Sequence, residues 1–451
     1  MGYKDLFIGP IYLILIYFIA YSVRNSVCKD KALRSYFIPA LSLKLFGAIA
    51  LGLIYQFYYK GGDTFSYFTY GSSYIWKAFL ENPSAGLWLI FGPNCAYDHE
   101  YSSYAQGMLY FCDASSYFVI RISGFIGLFT FHTYIVNAMF FALISFIGVW
   151  KMFLTFHRIY PALRKQIVMA CFLLPSVIFW GSGLMKDSIT FGCLGLFFNS
   201  FHTIFIERKA SKTTLFIFLV SFWVIKTIKI YIILCFIPAA ALWMFMVYND
   251  KIKSRMTRIL IRPIMILIGC VSGFFAADYI SKEDDKYSMT KLTKTAETTS
   301  YWLSQVSRME KGSGYNLGQI EFTPLGMLKK FPAAVNVTLF RPYLWESKNV
   351  VMLLSSLESL FFLYITLNML FKAGIKKTFS IIASHPIIAS SLVFSLTFAF
   401  AVGISTSNFG TLVRYKIPMM PFYLISILVI RSHSGKKKPS ILQRNQLSMG
   451  R

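Results

Sequence analysis

The chain has 451 residues, of which 56% are hydrophobic, 18% aromatic and only 14% charged. An ordinary soluble domain carries roughly 25% charged residues, so a chain this long and this apolar requires lipid as part of its solvent. Its formal charge of +26 does not mark a nucleic-acid binder, because the basic residues sit in short clusters between apolar runs and form no contiguous basic domain.

A spanning helix needs roughly 20 mostly apolar residues. In chain order, the runs that meet or approach this length are 6–22, 37–59, 133–156, 167–184, 188–206, 213–225, 230–248, 259–280, 350–371, 379–403 and 417–430. The expected fold is therefore all-α, a single polytopic transmembrane helical bundle over 1–451 with about 11 spans. The first run follows Met1-Gly2-Tyr3-Lys4 directly, with no basic leader region and no small-residue cleavage site, so it reads as a retained span. Position 6 is Leu, which excludes a myristoylation signal.

One alternating set of loops is strongly basic. It holds Arg24, Lys29, Lys31 and Arg34, then Lys151, Arg158, Arg164 and Lys165, then Arg208, Lys209 and Lys212. It continues through the 251–262 cluster and Lys372, Lys376 and Lys377 to a basic tail, 431–451. Its acids are Asp30, Glu207 and Asp250, and most of the others fall in the opposite set. Cytoplasmic loops carry the Lys/Arg excess, which places the N-terminus outside and the C-terminus in the cytoplasm. Two outer segments are long. The 60–132 segment contains apolar stretches, 84–91 and 118–130, that suit helices lying at the interface. The 281–349 segment is the most polar part of the chain. No internal repeat stands out, which weighs against many transporter folds.

The cysteines show neither metal-ligand spacing nor a Cys-x-x-Cys pair. Cys95 and Cys112 share the first outer segment, where they form either a disulfide or two unpaired thiols. Of the histidines, His99 and His132 lie outside, neither in a nucleophile motif, and no phosphate-cradling loop or dinucleotide fingerprint occurs.

The polar clusters that interrupt this pattern gather on the outer face. Gly61-Gly62-Asp63-Thr64 follows the second run; its ordinary structural role would be a turn with Asp63 capping the next helix. Pro175 to Gly183 ends the fourth run and leads into Lys186-Asp187, an outer lysine against the positive-inside trend. Lys226 and Lys229 fall between the sixth and seventh runs, where a lysine ordinarily snorkels to the interface. Arg341-Pro342-Tyr343-Leu344-Trp345-Glu346 precedes the ninth run, and Arg414-Tyr415-Lys416-Ile417-Pro418 opens the last. Glu358 lies within the ninth run, where an ionisable residue is costly. A carboxylate among several cations suits a phosphorylated lipid headgroup. The cations hold the phosphate, Arg through two parallel hydrogen bonds, and the carboxylate acts as general base or orients an acceptor hydroxyl. Trp180, Tyr343 and Trp345 supply faces for sugar rings.

At these residues the chain resembles the GT-C class of polytopic glycosyltransferases and the related membrane polymerases of bacterial surface polysaccharides. The resemblance rests on Gly-Gly-Asp63 in a large outer loop, on Phe179-Trp180-x-Ser182-Gly-x-x-Lys186-Asp187, and on Arg414-Tyr415-Lys416-x-Pro418-x-x-Pro421-Phe422. Many members carry an acidic pair in the first loop. Here Asp63 is followed by Thr64 and its loop comes after the second run, so Asp98, Glu100 and Asp113 stand as further candidate acids. The resemblance implies transfer of sugar from a polyprenyl phosphate or diphosphate to a glycan or other acceptor at the outer face, for cell-envelope assembly. Asp63 would be catalytic, and Lys186, Asp187, Lys226, Lys229, Arg341, Arg414, Tyr415 and Lys416 would bind substrate. Some members use a divalent metal; no ligand motif here indicates one, and no cofactor is expected. The competing readings are a transporter or flippase of a lipid-linked or anionic solute, which Glu358 would suit, and a non-enzymatic subunit of an envelope assembly.

Overall fold

A computed structural model describes residues 2–249, 297–302, 305, 314–318 and 324–434. Among these the chain is helical, without strands apart from an isolated bridge between Gly314 and Asn408. Eight helices among the described residues are long and apolar enough to cross a membrane: Tyr3–Val27 (α1), Lys31–Phe57 (α2), Tyr134–Ile159, Lys186–Ile206, Tyr231–Tyr248, Val350–Ala373, Pro386–Ser405 and Phe409–Ser434. This is the make-up of a multi-pass membrane protein. The expected 259–280 run, a little under half of the 281–349 loop and most of the basic tail lie outside the described residues.

The remaining helices are short. Between α2 and the third long helix lie Asp63–Tyr67 (α3), Ser73–Glu81 (α4), Pro83–Phe91 (α5) and Ala114–Phe129 (α6), so the stretches 84–91 and 118–130 are helical. The helix Tyr134–Ile159 (α7) leads into Arg164–Phe172 (α8) and Pro175–Phe179 (α9). Lys186–Phe201 (α10), extended by a wide turn to Ile206, Lys212–Lys229 (α11) and Tyr231–Asn249 (α12) follow. The α11 helix covers the expected 213–225 run but also carries Lys212, Lys226 and Lys229.

The expected continuous 167–184 span is not continuous. It breaks between α8 and α9 and again at 180–185. The cause is local: Pro175 lacks an N–H and its ring disfavours helical backbone at Leu174, which is extended at ψ 124°. Hydropathy averaged over the run conceals such a break.

Packing centres on α7, which lies against α10 and α2. Helix association in lipid gains little from the hydrophobic effect and depends on close contact. At Gly148 that contact is extreme, since a Cβ there would stand 1.8 Å from the Gly192 carbonyl oxygen. At Gly47 a Cβ would stand 1.9 Å from the carbonyl oxygen of Ile178 in α9. The lipid-facing side of α1 shows the opposite pattern, with Leu6, Phe7, Ile11, Ile14 and Phe18 exposed.

The segment between α2 and α7 packs as a layer of short helices closed by a Cys95–Cys112 disulfide, which resolves the two sequence alternatives in favour of pairing. Within it the His132 ring stacks on Phe68 with centroids 4.0 Å apart, and its Nε2 lies 3.0 Å from the Ser72 hydroxyl. Burial, and then the nearby charge of Lys4, push this imidazole from 6.5 down to about 4.

Two outcomes are expected. Gly148→Val, by forcing α7 and α10 apart, lowers the thermal midpoint of the purified protein by several degrees, read by differential scanning fluorimetry. His132 is neutral in the fold and its proton affinity is higher in the unfolded chain, so the stability it contributes is complete above pH 6.5 and is lost as the pH falls towards 4. His132→Asn should therefore flatten the acid-side fall in unfolding midpoint between pH 7 and 4.5.

Candidate functional site

At one end of the bundle α2 finishes, α10 begins, α11 finishes and the short helix Phe409–Tyr415 leads into the last long helix. Each of these termini delivers a charge. The turn after α2 uses Lys60, Gly61 and Gly62 at φ 54°, 149° and 110°. This left-handed and extended-positive backbone is readily adopted by glycine, and a Cβ at Gly62 would lie 2.6 Å from the Tyr55 ring. The turn presents Asp63 as the first residue of α3. Asp63 is not the cap of that helix, since the N-cap is Gly62 and no side chain caps it. Its carboxylate reaches across the bundle to Arg414.

Arg414 divides its guanidinium between two acids. Nη1 lies 2.7 Å from Asp63 Oδ2, and Nη2 lies 3.3 Å from Asp187 Oδ2. The other oxygen of Asp187 lies 2.5 Å from Lys229 Nζ. Lys229 also sits 4.5 Å from the centre of the Tyr415 ring, and Arg414 sits 5.6 Å from that of Trp180. The side chains of Asp187 and Lys229 are 2% and 7% exposed, whereas Asp63 is 41% exposed. The network thus has a buried core and an accessible rim. Lys186, next to Asp187, turns to α6, where its ammonium donates to Ser115 Oγ at 2.7 Å and lies 3.6 Å from Asp113 Oδ2. Asp113 follows Cys112 of the disulfide and caps α6 by accepting from the Ser116 amide. Of the further candidate acids it is the one tied to this cluster.

The broken segment between α8 and α10 positions Trp180, Lys186 and Asp187, and its backbone groups are held by side chains from three helices. Lys44, deep in α2 and 1% exposed, donates to the carbonyls of Val177 at 3.0 Å and Gly181 at 2.9 Å. Ser145 of α7 donates to the Gly181 carbonyl at 2.6 Å. At the other end of α9, the Glu358 carboxylate accepts from the Ser176 amide at 3.1 Å and from the Ser176 hydroxyl. Signs match the helix dipole, with an anion at the amino end and a cation at the carboxyl end. Lys44 was not singled out from sequence, although a lysine inside an apolar run is itself the signal.

Other expected site residues lie elsewhere. Arg341 pairs with Glu346, five residues on, and faces the Phe409 ring at 5.2 Å. That pairing raises the guanidinium and lowers the Glu346 carboxyl relative to their usual ranges, the latter against its burial. Lys416 points away from Arg414 and donates to Ser359 Oγ at 3.1 Å, while Ser359 donates to the Arg341 carbonyl at 3.0 Å. Lys226 stands on α11 before Lys229. Asp98 and Glu100 lie in the loop between α5 and α6. Tyr343 and Trp345 stack on each other at 4.9 Å. Among the described residues, no group of three His, Cys, Asp or Glu side chains gathers as a metal-ligand set.

The chain matches no protein-family profile, no curated protein and no solved structure.

Asp187 and Asp63 should differ sharply on mutation. Asp187→Asn leaves the buried Lys229 without its counter-charge and removes one of the two acids on Arg414, and is expected to cost about 3–5 kcal/mol. Asp63→Asn, at the exposed rim, should cost no more than about 1 kcal/mol. Chemical unfolding of both variants in detergent checks the order.

Proposed function

We propose that this chain is a membrane glycosyltransferase or polysaccharide polymerase that uses a polyprenyl-phosphate- or diphosphate-linked sugar at the outer face of the membrane. The observation that carries this reading is the meeting of Asp63, Asp187, Lys229 and Arg414, with Lys186 alongside, from stretches far apart in sequence. Paired cations beside an accessible carboxylate and an aromatic face are the groups that a phosphate leaving group, an acceptor hydroxyl and a sugar ring require.

In the reaction so read, Arg414 and Lys186 hold the donor phosphate, and Asp63 takes the proton from the acceptor hydroxyl. The bond from acceptor oxygen to the anomeric carbon forms as the bond from that carbon to the phosphate oxygen breaks, and its electron pair leaves on the lipid phosphate. Asp187 and Lys229 are positioning residues, fixing the Arg414 guanidinium from behind.

Two observations support an outer location. The basic loop clusters fall at the opposite ends of the helices from the site, and the Cys95–Cys112 disulfide on the site's own face suits an oxidising compartment. In this topology the stretches 167–184, 213–225 and 259–280 add passes to the eight long helices, giving about 11. The N-terminus is then outside and the basic tail cytoplasmic.

Glu358, 4% exposed within a long helix, favours a second reading as a transporter of a lipid-linked or anionic solute. The two differ in what Asp63→Asn does. As a transferase, membranes carrying that variant at wild-type expression lose glycan transfer from a lipid-linked donor by at least about 100-fold. Retained transfer removes the catalytic role of Asp63. Loss of solute flux with no transfer in the wild type selects the transporter instead.

A further inference from the structure

Resting on the phosphate-binding reading above, we propose that the site works by counter-ion exchange. The phosphate or diphosphate of the incoming donor takes Arg414 and Lys186 away from Asp63 and Asp113, while Asp187 and Lys229 stay paired. Donor arrival then sets Asp63 free to accept an acceptor hydroxyl.

The argument starts from charge balance. Lys186, Lys229 and Arg414 are matched one for one by Asp113, Asp187 and Asp63. A site so neutralised offers an anion little net attraction until some carboxylate gives way. The three acids are not equivalent. Asp187 is 2% exposed and uses both oxygens, so removing it would strand the buried Lys229 and leave Arg414 with Asp63 alone. Asp63 and Asp113 are 41% and 37% exposed, on cations that are 17% and 19% exposed. Only these two pairs combine an accessible acid with a cation that water and ligand can reach.

Each displaced carboxylate also has somewhere to go. Asp113 keeps the Ser116 amide and the Ser115 hydroxyl of its own helix and gives up the longer contact with Lys186, the one at 3.6 Å. Asp63 stands on the Gly61-Gly62 turn and enters water readily at its exposed edge. A diphosphate carries more charge and more acceptor oxygens than a carboxylate, and so outcompetes it for a guanidinium. The exchange has a chemical consequence. While its carboxylate is engaged by Arg414, Asp63 is not available to receive an acceptor hydroxyl, so it is withheld until donor is seated and wasteful attack by water is suppressed.

The test uses the full chain in lipid nanodiscs, with two probes: inorganic pyrophosphate in solution and polyprenyl phosphate dissolved in the disc. Asp63→Asn and Asp113→Asn remove a competing charge; asparagine caps a helix as well as aspartate, so α6 is preserved in the second. Each should bind pyrophosphate about threefold to fivefold more tightly than wild type by calorimetry, and Arg414→Gln should bind it more weakly. Tightening seen with polyprenyl phosphate alone still supports the exchange and assigns the anion to a lipid headgroup. Variants that unfold at the wild-type temperature yet bind both probes no tighter overturn it. Tightened binding without any sugar transfer by the wild type leaves the exchange standing and removes the transferase reading; transfer by the wild type with unchanged affinities does the reverse.

Discussion

Burial of the Asp187 carboxylate is the constraint on which the rest of this end of the bundle depends. An unpaired charge in an apolar interior costs several kcal/mol, and Asp187 meets that cost by giving one oxygen to Lys229 and the other to Arg414. Those partners come from the end of α11 and from the helix Phe409–Tyr415. The start of α10 therefore cannot settle unless both neighbours arrive, and the three termini are fixed together. Arg414, so held, has its other terminal nitrogen directed at Asp63 and its guanidinium near Trp180.

The same logic explains the interrupted stretch before α10. Without water, each open backbone group in the bundle costs several kcal/mol. Pro175 creates such groups by breaking the helix, and Lys44, Ser145 and Glu358 satisfy them from three different helices. Charges that would be liabilities in a lipid-facing helix become the supports of a turn. That turn is tight enough to bring Lys186 to the rim and Asp187 to the buried core of the cluster, and Gly47 and Gly148 allow the close helix approach around it. Stability and site geometry are thus the same set of contacts.

A gradient of exposure runs through the cluster, from Asp187 to Lys229, Arg414 and Asp63. The buried end sets position, and the accessible end is the one that, in the proposed reaction, meets ligand. This division separates residues whose loss unfolds the site from those whose loss alters chemistry, and it gives Asp63 a different standing from Asp187 although both are aspartates on one arginine. Arg341, by contrast, has Glu346 from its own turn and lies over the Phe409 ring.

What the sequence by itself determined is the class of molecule and the cast of residues. Apolar runs report spans because lipid cannot hydrogen-bond a backbone, and the Gly61-Gly62-Asp63 turn and the Lys186-Asp187 pair stand out because charge and glycine are conspicuous between such runs. Tertiary structure alone decided who pairs with whom. Lys416 adjoins Arg414 in sequence yet turns to Ser359, and Asp113, one of several acids in its loop, is the one the disulfide sets beside Lys186. Lys44, inside an apolar run, holds the carbonyls of Val177 and Gly181, a role that only the packed bundle reveals. The physical reason is that hydropathy and local backbone preference act over neighbouring residues. An ion pair depends on the distance between side chains that are hundreds of residues apart, and only the packed bundle sets that distance.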